Sequence, residues 1–175
     1  MKKVLCILFF VVSSSFTYVE EANKIINRIT TEVCKQTGLR AFGTGGSMCQ
    51  DVEGLDLAFI KNELLNLDKA RIYYVKTALI ALNTVNSNKT IRPYLHNYPF
   101  TLANFNLSIH FLDSNSNDPK PPLIARIMNF NNLIEYETKR TDIPHKYDTV
   151  HQETLEEAIR IVNQDTAANL LRKPK

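Results

Sequence analysis

The sequence is poor in several residue types, and each shortage excludes a class of function. It has no tryptophan, three cysteines and five glycines. Three cysteines permit at most one intrachain disulfide, and no glycine lies in a phosphate-loop or Gly-x-Ser-x-Gly pattern. The formal net charge is only +3. The basic residues are scattered along the chain, which argues against binding to nucleic acid.

The chain does begin with the three-part pattern of a secretory signal peptide. Met1-Lys2-Lys3 is positive, Val4 to Val12 is apolar, and Ser13 to Thr17 supplies small residues for cleavage, as such signals require. The apolar run spans about 13 Å of a roughly 30 Å hydrocarbon core. We therefore expect a cleaved signal over residues 1–17, a periplasmic or extracellular mature protein, and no transmembrane span after cleavage.

Two cysteines remain after cleavage, Cys34 and Cys49. A disulfide between them would close a loop of about 15 residues and stabilise the fold by roughly 3 kcal/mol in the chain-entropy model. The alternative is that both thiols are free, and a free buried thiol behaves as a small apolar group. Because an oxidising compartment favours pairing, we expect the bridge.

Residues 18–37 predict an N-terminal amphipathic helix, because apolar residues recur there at steps of three and four. These are Ala22, Ile25, Ile26, Ile29 and Val33. All five glycines follow, between Gly38 and Gly54. Glycine permits many backbone conformations, so we interpret residues 38–54 as a flexible connector to the body of the domain, residues 55–175.

The first half of this body predicts a strand and a helix. Leu55 to Ile60 is a short apolar segment that we expect to be a strand. Asp68 is a plausible N-cap for a helix that extends to about Val85. The predicted buried stripe of this helix consists of Ile72, Val75, Leu79 and Leu82.

The second half predicts a β-meander and a last helix. Phe105 to Leu112 alternates apolar and polar residues, as a half-buried strand does. Residues 123–128 and 133–136 flank a turn and predict a hairpin, and residues 147–151 predict a further strand. Thr154 and Glu157 have the spacing of a capping box, so a helix begins there.

These elements predict an α+β domain, since helices that cover one face of an antiparallel sheet are its defining arrangement. We expect a small antiparallel sheet of three to five strands, with two or three helices packed on one face. The chain shows no internal repeat and no linker that would divide it into two domains.

A proline-framed segment, residues 91–100, separates the central helix from the meander. Its prolines fix φ and bias the preceding residues toward extended geometry. We expect an ordered loop that displays Arg92, Tyr94, Tyr98 and Phe100 as a candidate binding surface, because Tyr and Arg often dominate interface energies. In the alternative interpretation, the aromatic side chains cover the edge of the core.

Part of the chain resembles a group of small exported bacterial proteins. The resemblance rests on Ala70-Arg71, Ile91-Arg92-Pro93-Tyr94-Leu95, Tyr98-Pro99-Phe100-Thr101 and Glu157-Ala158. It covers roughly residues 50 to 163. It implies export and the limits of the domain, and it implies no reaction.

The sequence predicts neither a metal site nor a cofactor. Zinc sites have histidines at i, i+4 spacing on a helix, or Cys, Asp or Glu at ligand spacing. The four histidines of this chain have neither. We therefore expect a non-enzymatic exported domain that binds a protein, a peptide or an envelope component. The alternative is an exported hydrolase or effector in which Ser47 or Cys49 acts with a nearby histidine.

The N-terminal pattern predicts a processed protein. Intact-mass measurement of the protein from its native host should show the loss of about 15 to 18 residues. A full-length species that stays in the cytoplasm would contradict this expectation.

Overall fold

The computed structural model describes the backbone of residues 2–130 and 132–171, and the side chains of residues 18–130 and 132–164. The side chains of the predicted signal peptide lie outside the described residues. The described chain contains three α-helices and six strands. In order they are α1 (Lys2–Thr37), β1 (Arg40–Ser47), β2 (Gly54–Asn62), α2 (Leu67–Ser87), β3 (Phe105–Leu112), β4 (Arg126–Phe130), β5 (Leu133–Lys139), β6 (Tyr147–Glu153) and α3 (Leu155–Leu171).

The strands form one sheet in the order β1-β2-β3-β4-β5-β6. The α+β class is confirmed, but the predicted sheet of three to five antiparallel strands is wrong in two respects. The sheet has six strands, and β2 pairs with β3 in parallel while the other neighbours are antiparallel. The parallel pair arises because the connection from β2 to β3 includes α2, which crosses over the sheet.

The glycine-rich segment forms an edge strand where the sequence predicted a flexible connector. β1 pairs with β2 from Arg40 opposite Ile60 to Ser47 opposite Gly54, with one bulge between Ala41 and Gly43. Backbone hydrogen bonds to β2 supply the order that the glycine side chains cannot. Gly46 is required for close approach, since a Cβ there would lie 2.7 Å from the carbonyl oxygen of Gly54.

The helices pack on the face of the sheet that carries the buried apolar residues of the central strands. Phe105, Leu107, Ile109 and Phe111 of β3 are buried, while the residues between them are exposed or half-buried. The predicted apolar stripe of α1 is buried against this face. The predicted strands β2, β3 and β6 and the predicted β4–β5 hairpin are present. For most of these elements the observed boundaries differ from the predicted ones by a few residues.

The central helix uses a different face from the predicted one. Of the predicted stripe, Val75 is buried and Leu82 is half-buried, but Ile72 and Leu79 are 46% and 44% exposed, so the core face is rotated from the predicted stripe. The residues that α2 buries include Tyr74, Ala78, Ala81 and Val85. Asn66, and not Asp68, is the N-cap, since its side chain accepts a hydrogen bond from the Lys69 amide. The capping box at Thr154 and Glu157 is confirmed.

The predicted disulfide is not formed, and Cys34 and Cys49 are both free thiols. The Tyr18 hydroxyl donates a hydrogen bond to the Cys49 carbonyl oxygen at 3.0 Å. Cys34 lies about 24 Å farther along α1 at 1.5 Å per residue, a separation that a tyrosine side chain cannot span. Because β1 carries the chain back along the helix, Cys49 lies well beyond the roughly 7 Å between Cα atoms that a disulfide allows.

One buried ion pair joins the helical layer to the sheet. The Arg71 guanidinium of α2 donates to Glu153 of β6 at 2.7 Å, and both side chains are about 5% exposed or less. The Tyr136 hydroxyl donates to the same carboxylate oxygen, and Arg71 also pairs with Asp68. Burial, and then the hydrogen bond to Glu153, raise the pKa of Tyr136, so its hydroxyl remains a donor.

Removing one partner of this pair should destabilise the fold strongly. Glu153→Ala leaves the Arg71 charge buried and unpaired, which should cost about 3–5 kcal/mol of unfolding free energy. Glu135→Ala is the control, because its carboxylate accepts only an exposed hydrogen bond from Gln152 and should cost about 1 kcal/mol or less. Chemical denaturation measures both, and equal losses would contradict a special role for Glu153.

Candidate binding surface

The face of the sheet opposite the helices carries one continuous row of side chains. The strand register aligns one residue from each of the six strands, so that each lies directly opposite the next across the sheet. Alternate residues of a strand point to opposite faces, and this row falls on the face that the helices leave uncovered. The row consists of Arg40, Ile60, His110, Arg126, Glu137 and Thr149. We call this surface the open face.

Large apolar side chains on the open face are exposed to solvent. Phe42, at the β1 bulge, is 70% exposed, and Phe130, at the end of β4, is 59% exposed. Phe42 reaches His110, with ring centroids 6.5 Å apart, so its ring lies over β2 on this side of the sheet. Half-buried Ile60 and Met128 extend the apolar character between them.

Beside these residues lies a charged cluster whose members satisfy one another. Arg126 of β4 forms an ion pair with Glu137 of β5, and its guanidinium lies 4.4 Å from the centre of the Tyr147 ring. Asp118, from the loop after β3, accepts from Lys139 at 2.7 Å and from Tyr147 at 3.1 Å. Every formal charge of the cluster has an opposite partner, so the cluster fixes the loop and the strand ends in place.

His110 stands between the apolar residues and the charged cluster. Burial, and then the positive charge of Arg126, lower the pKa of its imidazole below the ordinary value. The side chain is therefore neutral at pH 7. A neutral imidazole against a phenylalanine ring extends the uncharged part of the open face.

The proline-framed segment is ordered, and α2 holds it. The Asn86 side chain donates to the Phe100 carbonyl oxygen at 2.9 Å and accepts from the Phe100 amide at 2.8 Å. Arg92 stacks over the Tyr98 ring at 4.3 Å, and Tyr98 is 48% exposed. The structure thus brings Arg92 and Tyr98 together as a small surface at the C-terminal end of α2.

The other two predicted contact residues of this segment belong to the core. Phe100 is 2% exposed and packs edge-to-face on Phe105, with centroids 5.9 Å apart. The prediction that Phe100 is displayed is therefore wrong, because its ring fills space above β3. Tyr94 is half-buried against the same core.

The Ser47 or Cys49 site that the hydrolase interpretation requires is not assembled. The Ser47 hydroxyl donates to Glu53 at 2.8 Å, and His96 pairs through Nδ1 with Asp51 at 2.9 Å. Among the described residues, no hydrogen bond joins Ser47 or Cys49 to a histidine. A serine or cysteine nucleophile needs such a base within hydrogen-bond reach.

The described residues include neither a metal site nor a membrane-spanning helix. No group of three or more His, Cys, Asp and Glu side chains there is placed to hold a metal ion. In the same part of the chain, no helix has the length and apolar content needed to cross a membrane.

The open face was missed in the sequence because its members come from different strands. Each strand alone shows a polar position at every second residue, which reads as a solvated surface. Arg126, Glu137 and Tyr147 become neighbours only through strand pairing. The one usable signal was the alternation of Phe105 to Leu112, which placed His110 on the face opposite the core.

Comparison of the chain with family models, with curated proteins and with solved structures finds no match.

The environments of His110 and His96 predict opposite titration behaviour. His96 has its pKa raised by the hydrogen bond to Asp51, whereas burial and Arg126 lower that of His110. Neutral His110 contributes stability above its unfolded pKa near 6.5, and this is lost as pH falls. Charged His96 contributes stability below its unfolded pKa, and this is lost as pH rises through the raised value.

Titration of the imidazole protons by NMR measures both values. Asp51→Asn should return His96 toward about 6.5 and leave His110 unchanged, because Asp51 contacts only the former. A pKa above 6.5 for His110 would contradict the proposed neutral patch.

Proposed function

We propose that this protein is an exported, non-enzymatic domain that binds a protein or peptide partner through the open face of its sheet. The observation that carries the proposal is the pair of exposed rings, Phe42 and Phe130, on a face that no described helix covers. Exposed apolar clusters with a polar border are typical of protein interaction sites. On this face the self-paired cluster around Arg126 forms part of that border.

The helical side of the domain offers a weaker surface. Ile72 and Leu79 are exposed there, but Leu79 borders a groove lined mainly by polar side chains, among them Arg28, Glu32 and Lys76. Such mixtures of charge are ordinary for the solvated side of a helix. The small Arg92–Tyr98 surface is the other candidate, and substitutions in each of the three surfaces distinguish them.

Export supports this proposal in two ways. The signal pattern places the mature domain where partners are other exported or envelope proteins. Tyr18 directly follows the predicted signal and donates a hydrogen bond to the Cys49 carbonyl oxygen, so the residue next to the predicted cleavage site contacts the folded domain. We propose that the mature protein starts near this residue.

The proposal predicts which substitutions abolish binding. Tagged mature protein would be incubated with the exported fraction of its host, and captured proteins quantified by mass spectrometry. Phe42→Ser with Phe130→Ser should reduce capture of the specific partner about tenfold or more, because each ring contributes the area of an interface anchor. Both residues are exposed, so the melting temperature should change little.

Two matched variants serve as controls. Ile72→Ser with Leu79→Ser removes similarly exposed apolar area from the helical side and should leave capture intact. Tyr98→Ala tests the proline-framed surface. Loss of capture in either control, with the Phe42 and Phe130 variant unaffected, would reject the open face as the binding surface.

A further inference from the structure

The outer edge of β1 lacks the features that keep sheet edges from pairing. β1 is the first strand of the sheet, so alternate residues turn backbone N–H and C=O groups away from β2. All of its residues except half-buried Gly45 are exposed. From Ala41 to Ser47 it has no charge and no proline, which are the usual protections of an edge.

The opposite edge of the sheet is protected. β6 carries Asp148, His151 and Glu153, and a bulge interrupts its pairing opposite Tyr136 and Glu137. β1 also has a bulge, but it lies between Ala41 and Gly43 and leaves the stretch from Gly43 to Ser47 regular. The two edges therefore differ in chemistry, and only β1 is suited to accept another strand.

We propose that β1 pairs antiparallel with β1 of a second copy of this chain, and that the protein is a symmetric dimer. A two-fold axis at Gly45 keeps residues of the same face opposite one another. In that register Gly43 lies opposite Ser47 of the second copy, Thr44 opposite its Gly46, and Gly45 opposite its Gly45. Every one of these pairs includes a glycine, so no two large side chains compete for the same space.

The charges at the two ends of β1 favour this partner over an unrelated peptide. Arg40 lies at the start of the strand and is exposed. Glu53 lies at the other end, where it accepts the Ser47 hydroxyl. In this register Arg40 lies opposite Gln50 of the second copy, three residues along the chain from Glu53 of that copy. The basic end of each β1 therefore approaches the acidic end of the other, twice per dimer, and charges of opposite sign attract.

The dimer goes beyond the proposed function and does not depend on it. It joins the two sheets into one of twelve strands, with the two open faces side by side. Phe42 falls next to Met48 of the second copy, since both lie three residues from the axis. Substitutions at Gly43 and Gly45 leave Phe42 and Phe130 in place, so pairing of the β1 edges can be tested apart from binding to the open face.

The first test is the mass of the mature protein in solution, measured by sedimentation equilibrium at micromolar to sub-millimolar concentrations. The wild type should show a concentration-dependent dimer. Gly43→Lys with Gly45→Lys places four like charges in the paired stretch and should raise the dissociation constant about tenfold or more. A Cβ at Gly43 meets only Ala58 at 3.8 Å, and circular dichroism checks that the variant is folded.

The matched control adds the same charges to the other edge. Thr149→Lys with Val150→Lys changes exposed residues of β6 and should leave the dissociation constant unchanged. A protein that stays monomeric at all concentrations overturns the proposal. So does a dimer that the β6 variant disrupts and the β1 variant does not.

The second test fixes the register. Arg40→Glu and Glu53→Arg should each weaken the dimer roughly two- to fivefold, and the two together should restore it. In a Cys34→Ser, Cys49→Ser background, Gly45→Cys should crosslink on oxidation, because opposed Cα atoms lie about 5 Å apart. Gly43→Cys should not crosslink, since the register separates the two copies of that position by about 13 Å. Crosslinking at Gly43 with none at Gly45 would refute the register.

Discussion

The parallel pairing of β2 with β3 is the constraint on which the other features depend. Parallel neighbours cannot be joined by a tight turn, so the chain must cross over one face before β3 begins. Here α2 makes that crossing, and α1 and α3 pack beside it on the same face. The crossing therefore decides which side of the sheet becomes the core and which side is left open.

The proline-framed segment takes its role from the same constraint. It forms the last part of the crossover connection, the return leg, which runs from the end of α2 to the start of β3. Asn86 holds both backbone polar groups of Phe100, so the return leg is tied to the helix. Phe100 becomes a core residue because the return leg passes over β3, whereas Arg92 and Tyr98 lie on its outer side and stay exposed.

The sequence predicted local structure well and long-range pairing poorly. The alternation in Phe105 to Leu112 predicted β3 with its observed limits, and the capping box at Thr154 predicted the start of α3. Such signals depend on a few consecutive residues. The edge strand β1 depends on backbone hydrogen bonds to β2, and its glycines give no sequence signal for a strand. The segment was therefore predicted to be a flexible connector, and the disulfide predicted across it was wrong as well. The open face could not be predicted because Arg126, Glu137 and Tyr147 meet only in the finished sheet.

The charges of the open face bear on how it would select a partner. Arg126, Glu137, Asp118 and Lys139 are neutralised within the cluster, and His110 is neutral at pH 7 because burial and Arg126 lower its pKa. A partner gains little by presenting a charge to groups that are already paired, since it would have to displace an existing ion pair. Around this cluster, what remains available to a partner is the apolar area of Phe42, Phe130 and their neighbours. Recognition there is therefore a matter of shape and apolar burial, and the charged cluster keeps that shape fixed.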